Sequence, residues 1–452
     1  MLAHLICPGR HTITGLITVL GGQFEDWTAD YSLYSKARVN ANAIFAQVRR
    51  EVEQLGDCGL AERKRPLCVA LDDTILPKVG KTIPGTAFRK DPLGPAFNLN
   101  LVWAQRRLQI SAAVGDNEGE VRMLPIYFED ASTPRKPRKD ASEQAHEQYK
   151  EQMKQRNLNA IAVDRIDHLQ KQRAKENNGV TPALHVVVDG SYTNKKVLRK
   201  LPKHTTLIGR IRKDAKLSAK PDEQKSRGRK KFYGEDLPTP EQTRKDPEVP
   251  WIKVQARASG KTREFEVKTV APVRWRAAGE MDLRVVVIRP VGYRRRKGAR
   301  KVYTQPAYLI CTDADLPLED ILQEYIWRWD IEVNHRDEKT VVGVGQAQVR
   351  NENSVKDIPA TAGAAFAMLH LAAIKTYGHG GQPTSITPAK WRKPEKKKRP
   401  STQYLINELR RELWAKAIRP EILTDFVNKT QAKTKSVKYE PDLCSSLFAA
   451  TA

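Results

Sequence analysis

The chain has 452 residues, which is too long for one ordinary hydrophobic core and indicates roughly two to four domains or large insertions. Lys and Arg number 79 against 53 Asp and Glu, so the formal net charge of +26 favours nucleic acid as partner over an anionic membrane surface. Five widely separated cysteines form no CxxC pair that could begin a zinc site, and no apolar run is long enough to span a bilayer.

The N-terminal residues 1–62 form the first predicted domain. From Thr12 to Leu55 the apolar residues recur at helical spacing, as in AIFAQVRREVEQL, which predicts a small helical domain. Such a domain would either bind DNA or brace the rest of the core.

Two apolar runs that end in acidic residues predict strands of an α/β core. LCVALDD indicates a buried strand with Asp72 and Asp73 at its carboxyl end, and ALHVVVDG indicates a second buried strand followed by Asp189. Strand-like and helix-like segments alternate after Asp189, which is typical of α/β proteins. Adjacent side chains of a strand point to opposite faces, so we expect Asp72 and Asp73 not to serve the same site.

The sequence changes character in residues 213–304. Basic, Gly- and Pro-punctuated loops alternate there with strand-like FEVKTVAPV and LRVVVIRPV, which predicts an inserted β-rich subdomain. Farther along, the apolar segment Ala360–Ile374 predicts a buried helix. Each basic run of the chain alone is typical of a solvated stretch, but together they strengthen the nucleic-acid interpretation. They are residues 133–140, 225–231, 292–301 and 388–400.

A polar signature stands in YIWRWDIEVNHRDEK. Tyr325, Arg328, Glu332 and Lys339 are separated by three, four and seven residues, so at about 100 degrees per residue they share one helical face. Such a stripe does not build an apolar core. An ordinary exposed face with an Arg328–Glu332 pair would explain this helix by itself equally well.

Asp73 and Asp189 at strand ends favour a functional site beside this helix. Asp73, Asp189 and Glu332 would repel one another if they converged without partners, so divalent cations between them are expected. Oxygen-only ligands predict two Mg²⁺ ions, for which Mn²⁺ substitutes, and such a pair supports phosphodiester chemistry. The remaining signature residues would hold the backbone phosphates of DNA: Tyr325, Arg328 and Lys339.

With these residues the chain resembles bacterial insertion-sequence transposases of the DDE type, whose catalytic domain is ribonuclease-H-like, in the branch marked by a Tyr-Arg-Glu-Lys (YREK) signature. In that family the first catalytic aspartate directly precedes a threonine, as in LDDT, which favours Asp73 over Asp72. The second follows a strand, as in VVVDG. The resemblance implies Asp73, Asp189 and Glu332 as the catalytic and metal-binding residues, and we leave Asp72 outside the site.

The resemblance covers roughly residues 65 to 375 and, together with the patterns above, gives the expected domain layout. The expected fold is α/β, with a ribonuclease-H-like core in residues 63–212 and 305–380 that is interrupted by the β-rich insertion, 213–304. The helical N-terminal domain, 1–62, precedes this core, and a basic helical region, 381–452, follows it. Some relatives use an aromatic residue of the insertion to hold a flipped base. Trp251 and Trp275 are the candidates by location.

The function implied is that of a transposase that binds the terminal inverted repeats of its element, cleaves DNA and joins 3′ ends to target DNA. It would act as a homodimer or larger synaptic complex, in the cytoplasm and associated with the nucleoid of a bacterium. Two alternatives stay open: a catalytically silent DNA-binding relative, and a DDE-type nuclease without strand transfer. Lone histidines such as His335 and His370 are expected to be structural, because a metal-activated hydroxyl needs no histidine base.

Overall fold

The computed structural model of the chain describes residues 1–55, 66–91, 94, 97–115, 121–134, 136–221, 231–378 and 399–417, with side chains to residue 413. The helices there are α1 Leu2–Ile6, α2 Ile13–Val19, α3 Thr28–Ser35, α4 Ala41–Gln54, α5 Glu143–Gln155, α6 Leu158–Glu176, α7 Lys195–Leu198, α8 Pro240–Lys245, α9 Leu318–Trp327, α10 Trp329–Thr340, α11 Glu352–Tyr377 and α12 Thr402–Ala417. The strands there are β1 Leu67–Pro77, β2 Ala87–Lys90, β3 Leu101–Gly115, β4 Val121–Asp130, β5 Leu184–Val188, β6 Thr205–Arg210, β7 Leu217–Ala219, β8 Asp236–Leu237, β9 Ile252–Ala258, β10 Lys261–Trp275, β11 Leu283–Ile288, β12 Gly292–Tyr293, β13 Val302–Tyr303 and β14 Ala307–Cys311.

One large mixed sheet contains most of these strands. Hydrogen bonds connect β2, β3, β1, β5, β6, β14, β11, β10, β7 and β8 in that order, while β4 pairs with β3 and β9 pairs with β10. β1, β5 and β6 run parallel, and their neighbours β3 and β14 run antiparallel to them. β5 is buried along its whole length, as expected of a central strand that is covered on both faces. The predicted α/β class is confirmed.

Of the N-terminal helices, α4 packs against this sheet. Asn40 caps the start of α4, since its side chain accepts a hydrogen bond from the backbone N–H of Ala43. The apolar side of α4 places Phe45 and Val48 in the same buried core as Leu71 of β1. This part of residues 1–62 therefore braces the sheet.

Different helices cover the two faces of the sheet at β1, and we name each face after one of them. On the α4 face, Val69 and Leu71 belong to the apolar core shared with α4, α6 and α11. On the α9 face, Cys68 and Ala70 belong to the core shared with α9 and α10. This alternation follows from the pleat, because successive side chains of a strand point to opposite faces.

The segment between β6 and β14 adds strands to the same sheet. β10 pairs with β9, β11 and β7, and β11 pairs with β14. β14 in turn pairs with β6, so the chain returns to the position beside β6 after its long excursion. The basic run 225–231 lies outside the described residues except for Lys231.

The segment Ala360–Ile374 lies in the long helix α11 and is mostly buried, as the sequence predicts. By length and composition α11 is the one helix among the described residues that could cross a membrane, but 72% of its most apolar window is buried inside the protein. It is therefore placed as a core helix. Of the predicted basic C-terminal region, the structure describes residues 399–417, which include α12.

Candidate active site

The acidic pair of β1 lies in the middle of the strand and not at its end, contrary to the sequence-based expectation. β1 continues to Pro77, because the long antiparallel strand β3 pairs with it that far. The parallel pairing of β1 with β5 ends earlier, at Leu71 and Val188. Asp72 and Asp73 therefore come directly after the last pair that joins β1 to β5.

Asp189 is the first residue after β5, where the chain turns. Its carboxylate accepts hydrogen bonds from the backbone N–H of Ser191 at 2.8 Å and from the Ser191 hydroxyl at 3.0 Å. Val187 faces α9, and Asp189 follows it by two residues. The carboxylate of Asp189 thus lies at the β1–β5 junction, beside the end of the parallel pairing.

Asp73 has a hydrogen-bond donor at one carboxylate oxygen and a guanidinium close to the other. The Tyr192 hydroxyl donates to Oδ1 at 2.7 Å, and Nε of Arg106 lies 3.1 Å from Oδ2. Tyr192 is buried in the core of the α4 face. Asp73 therefore connects β1 with β3 and with the turn that follows β5.

Asp72 lies in a different electrostatic environment. Burial raises the pKa of its carboxyl group to about 7, and the negative charges of Asp73 and Asp189 act in the same direction. The backbone N–H of Asp73, which donates to Asp72 Oδ1 at 2.8 Å, and the positive charge of Arg328 oppose this shift. Asp72 thus lies close to Asp189 and to the signature residue Arg328.

The signature residues lie where two helices meet, not along one uninterrupted helix. α9 ends and α10 begins at Arg328, which itself keeps helical backbone angles, φ −48° and ψ −35°. The Arg328 guanidinium lies 5.6 Å from the centre of the Tyr325 ring, and its Nη2 lies 2.9 Å from Glu332 Oε1. The predicted Arg328–Glu332 pair is therefore present, with Tyr325 on the same side.

Lys339 completes the basic side of this cluster. Burial lowers the pKa of its ammonium group, while the charges of Glu338 and Asp72 act to raise it. Burial raises the pKa of Tyr325, and the nearby charge of Asp189 acts in the same sense. The carboxylates of Asp72 and Asp189 therefore share their surroundings with the signature cations, whereas Asp73 is engaged with Arg106 and Tyr192.

Comparison with protein families decides the assignment of the chain. Residues 1–278, more than half of the sequence, match the family model described as DDE superfamily endonuclease. The chain belongs to the DDE endonuclease superfamily. The matched residues include both aspartates of β1 and Asp189, and they end before the signature helices. No curated protein matches the chain significantly.

The family predicted from the sequence is thereby confirmed, and membership indicates a metal-dependent nuclease that acts on DNA. DDE endonucleases generally use divalent metals. Asp72 and Asp189 fit such an ion, because both are oxygen donors near one another, and no Lys or Arg of the described residues lies within 4 Å of either carboxylate. In the same part of the chain, no three His, Cys, Asp or Glu side chains form a group that could hold a metal ion. Glu332 is instead paired with Arg328.

The sequence did not predict a buried ion pair, His185 with Glu324, that lies beneath the site of this DDE endonuclease. His185 Nδ1 lies 2.9 Å from both carboxylate oxygens of Glu324, which joins β5 to α9. The pair fixes the strand that precedes Asp189 against the helix that carries Tyr325. A single histidine in an apolar strand gave no local signal of a carboxylate partner distant in sequence. His335 and His370 are buried, and burial lowers both pKa values, as expected of structural histidines.

Two basic grooves of the described residues carry aromatic rings, and the first of them borders the site at Gly190. One, of about 1200 Å³, begins at Gly190 and is lined by Arg210, Arg289 and both tryptophans of the insertion. Trp251 stacks under cations there, with Arg289 at 5.5 Å from its ring centre. The other, of about 820 Å³, follows α10 and includes the cationic side chain of Lys261 and the exposed ring of Trp329.

Proposed function

We propose that the chain is a DNA transposase of the YREK branch, which cleaves DNA at the ends of a mobile element and joins the exposed 3′ ends to target DNA. One observation carries the proposal: the α9 face brings carboxylates from the parallel strands β1 and β5 next to the Arg328 and Glu332 of the signature. Acids that hold metal ions and cations that hold phosphates are what phosphodiester chemistry requires of a protein.

The proposed fold of the catalytic part is ribonuclease-H-like and discontinuous, with residues 63–212 and 305–380 as core and 213–304 as insertion. The pairing of β14 with β6 supports it, because it joins the two core segments within one sheet. Residues 1–62 and 381–452 are proposed as the helical N-terminal domain and the basic C-terminal region.

In the proposed mechanism, Asp189 and Glu332 hold two Mg²⁺ ions together with a carboxylate of β1, and Mn²⁺ substitutes. The family resemblance points to Asp73 as that carboxylate. When bound, such ions activate a water or a 3′-hydroxyl and stabilise the leaving oxygen of the phosphodiester. Arg328 holds Glu332 by one carboxylate oxygen, Oε1, so release of this contact would offer both oxygens of Glu332 to a metal ion and free the guanidinium for a phosphate.

Tyr325, Arg328 and Lys339 are proposed to hold the DNA backbone. Arg328 presents a planar set of donors that matches phosphate, and its buried position limits the water that would weaken the contact. Lys339 contributes a point charge from the next turns of the same helical segment. These contacts orient the scissile phosphate without reading base sequence.

DNA is the proposed partner, as terminal inverted repeats and as target. The net charge of +26 favours association with a polyanion, and the two grooves combine cations with aromatic rings, which suits nucleic acid. Trp251 and Trp275 remain the candidates for contact with an unpaired base. Joining two element ends requires at least two active sites, so a dimer or larger synaptic complex in the bacterial cytoplasm, bound to the nucleoid, is part of the proposal.

The test is cleavage and strand transfer by the full-length chain in Mg²⁺, on DNA that carries the ends of the element. Wild type is compared with Asp189→Asn and Glu332→Gln, and Glu319→Gln in the exposed first turn of α9 is the matched control. We expect loss of both products in the first two variants, with DNA binding retained, and wild-type activity in the control.

The main rival is a nuclease that hydrolyses DNA without joining it, which the endonuclease description of the family favours. DNA with a preformed 3′-hydroxyl end separates the two, because only a transposase yields joined product from it. Binding of element ends without any cleavage by wild type would instead support a catalytically silent DNA-binding protein.

A further inference from the structure

We propose that Asp72, and not Asp73, is the β1 carboxylate that binds the divalent metal ion together with Asp189. This assignment rests on the proposed function and departs from the one that family resemblance implies. Three independent observations support it: the face of the strand, the partners of each carboxylate and the register of β1 with β5.

The strand face separates the two aspartates. Cys68 and Ala70 project to the α9 face, so Asp72, two residues farther along a continuous strand, projects there as well. Gln109 stands opposite Asp72 in the β1–β3 pairing, and its side-chain amide lies 2.9 Å from the carboxylate of Glu338 of α10. The side of β1 that carries Asp72 is therefore the side that the signature helices cover.

Asp73 projects to the opposite side. It follows Val69 and Leu71, which belong to the core of the α4 face, and it stands opposite Leu108, which belongs to the same core. Its oxygens accept the hydroxyl of Tyr192 and face the guanidinium of Arg106. A metal ion at Asp73 would have to compete with a cation and a hydrogen-bond donor that are already in place.

The register of the parallel strands brings Asp72 and Asp189 together. Leu71 of β1 pairs with Val188 of β5, and Asp72 and Asp189 are the residues that follow them. Paired residues of parallel strands share a face, so Asp72 and Asp189 lie on the same face of the sheet. Val187, like Ala70, belongs to the core of the α9 face. Two carboxylates on one face without a cation within 4 Å, among the described residues, form the start of an oxygen-ligand site.

Asp73 is then a positioning residue. Through Tyr192 it holds the turn that begins with Asp189, and through Arg106 it holds β1 against β3. Both contacts lie on the side of β1 away from the signature, where they set the position of the strand ends without touching the metal ion.

Binding of Mn²⁺ to the full-length chain, measured by electron paramagnetic resonance without DNA, tests the assignment. The variants are Asp72→Asn, Asp73→Asn and, as the positive control for loss of a ligand, Asp189→Asn. Asp72→Asn and Asp189→Asn are expected to weaken Mn²⁺ binding by more than about a hundredfold, because loss of a ligand should cost more than the roughly 10- to 100-fold that supporting groups contribute. Asp73→Asn is expected to weaken it by only about tenfold, because the group it loses supports a ligand from outside the coordination sphere.

Circular dichroism first establishes that each variant is folded. Asp73→Glu is measured beside Asp73→Asn, because it keeps the negative charge next to Arg106 while it displaces any ligand oxygen. Unchanged Mn²⁺ affinity in folded Asp72→Asn overturns the assignment but leaves the proposed function standing. Absence of Mn²⁺ binding by wild type overturns both the assignment and the metal-dependent function on which it rests.

Discussion

The two adjacent aspartates of β1 lie on opposite faces of the sheet and have different partners. On the α4 face, Asp73 has a tyrosine hydroxyl and a guanidinium as partners and connects three parts of the chain. On the α9 face, Asp72 lies near Asp189. Burial, together with the negative charges of Asp73 and Asp189, raises the pKa of Asp72 to about 7. A carboxylate paired with a cation of its own protein is suited to a structural role, whereas carboxylates without such a partner are suited to bind a cation that is not part of the chain.

The largest expected effect is on catalysis. Asp72→Asn should slow DNA cleavage in Mg²⁺ by roughly a thousandfold or more, because a bound metal contributes several kcal/mol to transition-state stabilisation and about 1.36 kcal/mol corresponds to tenfold. Asp73→Asn should slow it by about 10- to 100-fold, as expected of a residue that supports a metal ligand without touching the metal ion. Single-turnover cleavage measures both rates. If Asp73→Asn were as inactive as Asp189→Asn while Asp72→Asn stayed active, the metal ligand of β1 would be Asp73 and not Asp72.

The next effect is on the buried pair that supports the α9 face. His185→Gln should lower the free energy of unfolding by about 3–5 kcal/mol, because it leaves the charge of Glu324 buried without its partner. The double variant His185→Gln with Glu324→Gln removes both charges and should recover much of this loss. Urea unfolding measures both, and equal stability of the single and double variants would show that the pair is not coupled.

The same pair predicts a pH dependence. Burial opposes the charged form of His185, but the hydrogen bond and charge of Glu324, with Asp313 and Asp320 adding to them, raise its pKa. The pair therefore contributes its full stability below the pKa of the unfolded histidine, and this contribution is lost as pH rises through the higher folded pKa. The stability difference between wild type and the double variant should accordingly fall between acidic and alkaline pH. A stability difference that grows with pH would contradict the raised pKa of His185.

A smaller effect is expected on the α4 face. Tyr192→Phe should lower the free energy of unfolding by about 1–2 kcal/mol, because Asp73 loses one donor but keeps Arg106. Mn²⁺ affinity should not change. Tyr31→Phe in the exposed part of α3 is the matched control. A loss of Mn²⁺ affinity in Tyr192→Phe without loss of stability would place this face in the metal site.

The smallest effect is expected for a single phosphate contact. Lys339→Gln should weaken DNA binding and reduce the slope of log affinity against log salt by about one, as expected of one contact with the DNA backbone. Lys171→Gln, an exposed lysine paired with Asp167 on α6, is the control that changes the net charge equally. Equal slopes of log affinity against log salt in the two variants would show that Lys339 does not contact DNA.

Local patterns were sufficient for much of the fold. The α/β class follows from short apolar, strand-like runs that alternate with segments of helical spacing. The burial of α11 follows from its Ala- and Leu-rich composition. The spacing of the signature placed Tyr325, Arg328 and Glu332 on one side, and their contacts agree with it. These features depend on the periodicity of helix and strand, which neighbouring residues alone determine.

By itself, then, the sequence determined the α/β class, the DDE family and the residues from which a site could be built. Only the tertiary structure decided how far β1 continues beyond its acids, where α9 meets α10, and which of Asp72 and Asp73 faces the signature helices. Strand alternation separates the two aspartates but does not say which face each helix covers. That choice depends on the register with β3 and β5 and on the packing of helices more than two hundred residues away, which no local pattern contains.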